Sequence, residues 1–300
     1  MIIKYAEREI NLFLNTFLET NNLDFVIASD TDSLYLKMEL VVAKLKASNA
    51  TLTDEQIVTK LDAFGRTVIT PAFKDMFDRL AAKLHARPGV IVMKREAIAD
   101  VGIWIAKKRY ILNIHDNEGV RYAEPDLKMT GIQAVQSSTP AACRKAIMEA
   151  IKLAISKDEA AVQAYVMKFR SEFEQLPFTE IAFPRGLSEI DKYHAGSKSI
   201  PIHVRGAMAY NALLDIYQLQ HRFDTIRDGE KVKFCYLKLP NPIQSNVISA
   251  PSVLPLEFNL HSYLDYDLQF QKAFLDPVQA ILTMIGWRTV PIQTLDSFFV

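Results

Sequence analysis

Apolar and polar positions in the first forty residues predict a helix followed by a β-hairpin. From Tyr5 to Thr20, apolar side chains recur three or four residues apart, as in an amphipathic helix, at Ile10, Phe13, Leu14, Phe17 and Leu18. Two apolar runs follow at residues 25–28 and 34–36, and the polar stretch Asp-Thr-Asp-Ser separates them. We therefore expect a hairpin over about residues 24–40, with this stretch as its turn.

The next ninety residues read as a mixture of helix and strand. Thr53 and Gln56 have the spacing of a capping box, which predicts a helix that continues to about His85 with a bend at Pro71. Alternating apolar runs then predict strands over residues 90–95, 104–107, 110–115 and 120–123. The last two strands are expected to join as a hairpin through a turn at residues 116–119.

After Lys128 the spacing is mainly helical. Four helices are predicted: from an N-cap at Ser138-Thr139-Pro140 to Ile155, from a capping box over residues 156–159 to about Leu176, over residues 207–221, and over residues 266–285 with an interruption at Pro277. A strand pair is expected near residues 231–239 and 246–248. The fold class is therefore α+β, with a mixed first part over residues 1–130 and a mostly helical part over residues 131–290.

Composition and charge limit the kinds of protein that the chain can be. Hydrophobic residues make up 49% of the 300 residues, which is enough for a sizeable core. The formal net charge is zero, so a nucleic-acid surface would have to be a local patch. Cys143 and Cys235 stand far apart without a Cys-x-x-Cys partner, which argues against a zinc site or a disulfide scaffold. With no secretory signal and no apolar run of membrane-spanning length, a cytoplasmic protein without membrane contact is expected.

The stretch at residues 30–33 offers candidate metal chemistry. Asp30 and Asp32 would share one side of an extended chain, and paired carboxylates suit a hard divalent cation such as Mg²⁺. Taken alone, the stretch is more simply explained as a hairpin turn whose aspartates cap their own backbone. A calcium loop of the EF-hand type is excluded because that loop needs glycine at its sixth position, where Tyr35 stands.

Four further motifs follow the Asp-Thr-Asp-Ser stretch in order, at residues 93–98, 106–110, 128–131 leading into 137–140, and 201–206. Together the five motifs resemble the C-terminal half of a family B replicative DNA polymerase, most like those of tailed bacteriophages. The resemblance spans nearly the whole chain. It implies a partial palm, built as an antiparallel sheet with helices, followed by a mostly helical thumb and a clamp-binding tail over residues 291–300.

The resemblance also implies roles for three carboxylates. Asp32 would be a direct ligand in a two-Mg²⁺ site, where one ion activates the primer hydroxyl and both hold the triphosphate of the incoming dNTP. Asp30 would lie in the turn beside the metals, and Glu96, on a later palm strand, would lie near the same site. The alternative for Glu96 is an ordinary ion pair with Arg95 or Lys94.

Two groups of residues are expected to bind primer-template DNA. The first group puts three cations and an aromatic side chain on one strand, at Lys107, Lys108, Arg109 and Tyr110. By resemblance Lys108 and Tyr110 hold the primer strand, whereas the alternative is a solvated edge strand guarded by lysines. In the second group, His203 and Arg205, just before the helix expected at Ala207, match a thumb motif that contacts duplex phosphates, and Lys192 and Tyr193 would join them. The alternative for Arg205 is an ordinary surface residue at the start of a helix.

The last residues of the chain form a short amphipathic tail. Leu295, Phe298 and Phe299 have the spacing with which the tails of this family bind the sliding clamp. The alternative is a tail that folds back onto the thumb.

The chain also departs from the family pattern. Ala28-Ser29 stands where the family usually has Tyr-Gly, and no stretch matches the upstream catalytic aspartate, the fingers helix or the exonuclease signature. Residues 228–230 have the Asp-x-Glu spacing of that signature but are predicted as a turn before a strand. We therefore expect a C-terminal polymerase subunit that is active only with an N-terminal chain supplying exonuclease, fingers and remaining palm. The alternative is a non-catalytic palm-thumb remnant that binds duplex DNA and the clamp.

Overall fold

A computed structural model of the chain describes residues 2–193 and 199–291. The described residues form two compact units. The first unit comprises the residues up to Gly102 together with Ala106–Lys128, and the second comprises Ile103–Ile105 and the residues from Met129 onward. Each unit combines helices with small antiparallel sheets, so the predicted α+β class is confirmed.

The first unit opens with the predicted amphipathic helix. Helix α1 spans Ile2–Phe17 and buries Ala6, Ile10 and Leu14 completely. Because these positions lie three or four residues apart, they form one apolar face, which packs into the core of the unit. The helix predicted from the apolar spacing is therefore confirmed.

The predicted hairpin follows α1. Strands β1, Val26–Ser29, and β2, Leu34–Leu36, pair in antiparallel register, with a bulge between Val26 and Ala28. Residues 30–33 form the turn, which the Asp30 N–H closes by donating to the Ser33 carbonyl at 3.0 Å. The two-stranded arrangement places the Asp-Thr-Asp-Ser stretch at the tip of the hairpin, as predicted.

Helices α2, Glu39–Ser48, and α3, Asp54–Phe64, come next, and the capping box at Thr53 is confirmed. A π-helical turn over Gly65–Ile69 joins α3 to α4, Thr70–Lys83. Pro71 explains this turn, since a proline has no N–H and its ring crowds the carbonyl four residues back. The backbone therefore widens just before Pro71, and the Thr70 N–H donates to the carbonyl five residues back.

Three strands complete the first part of the chain. They form one sheet in the order β3-β4-β5, over Ala97–Ala106, Arg109–Asn117 and Val120–Thr130. The three strands predicted after residue 100 are confirmed and prove longer than expected. The strand predicted over residues 90–95 is wrong, because this segment alternates correctly but pairs with no strand in the described chain: Ile91 and Met93 pack on the core while Val90 and Val92 stay exposed.

A buried charge network holds the β4–β5 hairpin against α3. Asp116 is 1% exposed, and its carboxylate accepts hydrogen bonds from the Gly119 N–H and from the guanidinium groups of Arg95 and Arg121. Arg95 also donates to Asp62 of α3 at 2.6 Å. Burial alone would raise the pKa of Asp116, but the hydrogen bonds and the two cations outweigh it and lower that pKa.

The second unit is mostly helical around a three-stranded sheet. Its helices are α5 to α10, over Ala141–Ser156, Glu159–Phe173, Phe178–Ile181, Ile202–Tyr217, Tyr266–Phe270 and Asp276–Leu282. Its antiparallel sheet has the order β6-β7-β8, over Phe183–Gly186, Lys231–Tyr236 and Val247–Ala250. The predicted helices and strand pair are confirmed, whereas β6 had not been predicted. A second π-helical turn, Gln271–Leu275, precedes Pro277 and gives the predicted interruption.

Three helix starts differ from prediction. Pro140 is the N-cap residue of α5, and no side chain caps that helix. Asp158 caps α6 by accepting from the Ala161 N–H at 2.9 Å, because Ser156 still belongs to the preceding helix. Helix α8 begins directly after Pro201, five residues earlier than expected, since proline suits a helix start.

Gly206 allows α8 to lie close against β8. A Cβ atom at this position would lie 2.5 Å from Ser249 Oγ and 2.7 Å from the Ser249 backbone nitrogen. Gly206→Ala is therefore expected to lower the free energy of unfolding by about 1–3 kcal/mol in urea denaturation, as overpacking does, although alanine favours helix. Gly186→Ala is the matched control, because a Cβ there meets nothing within 4 Å. Equal stability of the two variants would contradict the close approach.

Candidate active site

The two aspartates of the hairpin turn have different surroundings. Asp30 accepts hydrogen bonds at Oδ1 from the Thr31 N–H at 2.8 Å and from Thr31 Oγ1 at 3.3 Å, so it caps the turn. Asp32 is exposed and makes no hydrogen bond or ion pair with any residue that the structure describes. The turn therefore combines the two explanations suggested by the sequence: Asp30 stabilises the backbone, and Asp32 presents an uncommitted carboxylate.

The β3–β4 hairpin brings the second motif beside this turn. Lys108 Nζ lies 3.9 Å from Asp30 Oδ2, and the rings of Tyr35 and Tyr110 are 5.4 Å apart. The prediction that residues 107–110 lie on one strand is wrong. Lys107 and Lys108 form the two-residue turn, where Lys108 has a left-handed φ of 59°, and β4 begins at Arg109. This turn projects the lysines at the end of the hairpin.

Tyr35 is a site residue that the sequence did not single out. Burial raises the pKa of its hydroxyl well above the usual range, and a hydrogen bond to Tyr110 and the nearby charge of Glu96 act in the same direction. Tyr35 is therefore a neutral phenol that links β2 to β4. A signal was present in the sequence, since Tyr35 is the second residue after the Asp turn and alternates in β2 with Leu34 and Leu36, which places it on the opposite face of the strand.

Glu96 lies immediately before β3 rather than on a strand. The ion pair with Arg95 or Lys94 considered as an alternative does not form, since Arg95 pairs with Asp62 and Asp116 instead. The negative charge of Glu96 acts on Tyr35. Within residues 2–193 and 199–291, no group of three or more Asp, Glu, His or Cys side chains is placed to hold a metal ion.

The donor set of the turn fits a Mg²⁺ ion that takes most of its ligands from elsewhere. Both candidate donors are carboxylate oxygens, the hard ligands that Mg²⁺ prefers, and Mg²⁺ is typically held by one or two carboxylates together with substrate phosphates. Asp32 has the exposure needed for a direct ligand. Asp30 has one oxygen engaged by Thr31 and the other beside Lys108.

The candidate DNA contacts of the second unit lie on two elements. Lys192 ends the short 3₁₀ turn Ile190–Lys192 and pairs with Glu189, and Tyr193 follows it. His203 and Arg205 lie inside the first turns of α8, not before that helix as predicted. Arg205 is exposed and donates to Asn246 Oδ1 at 2.8 Å.

Arg185 is a second residue that the sequence did not single out. Its guanidinium donates to the Ser138 carbonyl at 2.9 Å and lies over the rings of Phe183 and Phe234. It thereby ties the motif at residues 137–140 to the β6–β7 sheet. Burial lowers the pKa of His203, and the charge of Arg185 lowers it further. His203 is therefore mainly neutral at pH 7, so it can offer a phosphate a hydrogen bond but little charge.

The predicted clamp-binding residues Leu295, Phe298 and Phe299 lie outside the described residues. In the portion that is described, no helix combines the length and apolar composition needed to cross a membrane.

Comparison with known proteins finds similarity to part of two phage enzymes. The chain is homologous to about one third of the family B DNA polymerases of two phages. It is 32% identical to the DNA-directed DNA polymerase of Enterobacteria phage T4 over an alignment of 313 positions, gaps included, which covers 99% of this chain and 34% of the relative. It is also 32% identical to the DNA-directed DNA polymerase of Escherichia phage RB69 over 296 residues, covering 93% of this chain and 32% of that relative. No protein-family model matches the chain.

Proposed function

We propose that this chain is the C-terminal part of a DNA-directed DNA polymerase. In this proposal it carries the later part of the palm, the thumb and a clamp-binding tail, and the complete enzyme transfers nucleotides to a primer 3′-hydroxyl on a template. The observation that carries the proposal is the homology, which runs through 99% of the chain and includes the turn with Asp30 and Asp32. The position of the Lys108 hairpin beside that turn supports it.

Asp32 would be the direct Mg²⁺ ligand in the complete enzyme, with Asp30 shaping the turn and Glu96 nearby. Bound Mg²⁺ supplies activation of the primer hydroxyl and charge neutralisation on the triphosphate of the dNTP. The chain's own cations would position the duplex through its phosphates, from Lys107, Lys108, Arg109, Lys192 and Arg205. Tyr110, Tyr193 and His203 would add neutral contacts.

Activity would require the parts of the polymerase that these 300 residues do not match. The chain spans about a third of the length of its phage relatives. No stretch of it has the fingers pattern or the upstream catalytic aspartate expected from the family. We propose that a separate N-terminal chain supplies exonuclease, fingers and the remaining palm.

Primer extension tests this proposal. The full chain and the cognate N-terminal chain are assayed separately and together on a primer-template with Mg²⁺ and dNTPs, and binding to the same DNA is measured in parallel. We expect synthesis in the mixture and none with either chain alone. A mixture that binds DNA without extending the primer would overturn the enzymatic proposal. It would favour the non-catalytic palm-thumb remnant, for which Ala28-Ser29 in place of Tyr-Gly is the supporting observation.

Lys108→Ala is expected to weaken primer-template binding and to reduce the slope of log K against log salt by about one, because one phosphate contact is lost. Fluorescence anisotropy at several salt concentrations measures both quantities. Lys60→Ala, at an exposed lysine of α3, is the control that should leave the slope unchanged. An unaltered slope for Lys108→Ala would argue against a phosphate contact at this residue.

Removal of residues 292–300 is expected to reduce clamp-dependent processivity while sparing synthesis without the clamp, because Leu295, Phe298 and Phe299 are proposed to bind the clamp. Product lengths with and without clamp measure the difference. Equal loss under both conditions would instead indicate a tail that stabilises the thumb.

A further inference from the structure

Ser29 is anchored to helix α1 by its side chain. It is the last residue of β1, pairs with Leu34 of β2 and directly precedes Asp30. Its hydroxyl donates to Glu7 Oε2 at 2.9 Å. The resemblance leads one to expect glycine at this position, and glycine could not make this bond.

Glu7 is held in place from its own helix. Lys4, one turn earlier, donates to the same Glu7 oxygen at 2.7 Å and lies 3.4 Å from Ser29 Oγ. The hydrogen bond from Lys4 lowers the pKa of Glu7, so this side chain is ionised at neutral pH. An ionised acceptor makes a stronger hydrogen bond to a hydroxyl than a neutral one does.

The anchor joins the base of the Asp turn to a rigid support. Helix α1 is fixed by fully buried residues, whereas β1 and β2 form a short two-stranded sheet, which is only marginally stable by itself. The turn is closed by the Asp30 N–H bond to the Ser33 carbonyl, one residue beyond the anchor. Motion at Ser29 would therefore pass directly to Asp30 and Asp32.

We propose that Glu7 is a positioning residue for the Asp turn, which it fixes through the Ser29 hydroxyl. An effect of this positioning on catalysis rests on the proposed function, in which Asp32 binds a metal ion. A metal ligand has to be held to within about 0.5 Å of its productive position. The anchor itself is a property of the free chain and can be measured there.

Amide hydrogen exchange in the full chain, without metal or DNA, tests the anchor. We expect Glu7→Ala and Ser29→Ala each to accelerate exchange of the Asp30 amide about fivefold, as loss of one hydrogen bond does. Because both changes break the same bond, the double variant should exchange no faster than either single variant. Glu7→Gln keeps an acceptor oxygen and should restore exchange to within about twofold of the natural chain. Glu9→Ala on the same helix, which loses pairs with Arg8 and Arg79, is the control.

The anchor would be overturned by an unchanged exchange rate of the Asp30 amide in Glu7→Ala, or by a double variant whose acceleration is the product of the two single effects. Acceleration throughout α1, including the Ile10 amide, would show a general loss of structure and would also overturn the anchor.

A polymerase assay distinguishes the failure of the anchor from the failure of the proposed function. If the two-chain mixture extends primers, Glu7→Ala should lower kcat with little change in KM for dNTP, and Glu7→Gln should recover it. If the mixture is inactive while the exchange pattern holds, the proposed function fails and the anchor stands.

Discussion

Asp32→Asn is expected to reduce nucleotide incorporation by the reconstituted polymerase about a thousandfold while leaving primer-template binding intact. A metal ion stabilises the developing charge by several kcal/mol, and each 1.4 kcal/mol corresponds to a factor of ten in rate. The structure makes this substitution a clean test, because Asp32 is exposed and makes no bond to other described residues. Asparagine therefore removes the charge without disturbing the turn. Single-turnover incorporation and DNA affinity are measured on the same preparation.

Asp75→Asn provides the control for this experiment. Asp75 is an exposed carboxylate of α4 that pairs with Arg79, so its loss should leave incorporation unchanged. Comparable turnover of Asp32→Asn and the natural chain would remove Asp32 from the proposed metal site. A parallel loss of DNA binding would show that Asp32 supports the DNA surface rather than the chemistry.

The elements predicted correctly are those encoded by local interactions. Helix α1 follows from apolar residues spaced three or four apart, and the start of α3 follows from a capping box confined to residues 53–56. The β1–β2 hairpin follows from two apolar runs around a polar turn. In each case the decisive contacts join residues that are neighbours in sequence.

The elements that were predicted wrongly or overlooked depend on contacts with residues that are distant in sequence. Residues 90–95 alternate like a strand, but a strand also needs a neighbour, and no strand of the described chain pairs with them. Strand β6 was overlooked because its four residues gain their conformation by pairing with β7. The close approach of α8 to β8 at Gly206 likewise involves a residue distant in sequence, Ser249, and spacing along the sequence does not reveal it.

The residues of the candidate site likewise fall into those that the sequence could predict and those that only the structure reveals. Asp30, Asp32 and the cations at residues 107–109 could be proposed from motifs, because each motif is continuous in sequence. Tyr35, Glu7 and Arg185 could not, since their significance comes from contacts with Tyr110, Ser29 and Ser138 respectively. Motifs identify the groups that do chemistry, whereas the residues that hold them in place become visible through packing.

Asp116→Ala is expected to lower the free energy of unfolding by about 3–5 kcal/mol, the largest stability effect we predict. Removing one member of a buried ion pair leaves its partners desolvated and unpaired. Here Arg121 would lose its carboxylate, Arg95 would keep only Asp62, and the Gly119 N–H would lose its acceptor. Urea denaturation followed by circular dichroism measures the change.

Control variants and the pH dependence show how much of the stability loss in Asp116→Ala comes from the buried charge. Asp100→Ala removes a half-exposed carboxylate of β3 beside His115, so it should cost less than about 1 kcal/mol. In the Asp116→Ala background, Arg121→Met should recover part of the loss, because it removes the partly buried cation that has lost its carboxylate, whereas Arg95 still pairs with Asp62. The pKa of Asp116 is lowered in the folded chain, so its contribution is complete above the unfolded pKa of about 4 and declines as the pH falls below it. The difference between the natural chain and Asp116→Ala should therefore shrink below about pH 4, and a difference that persists unchanged there would assign the loss to packing rather than to the charge.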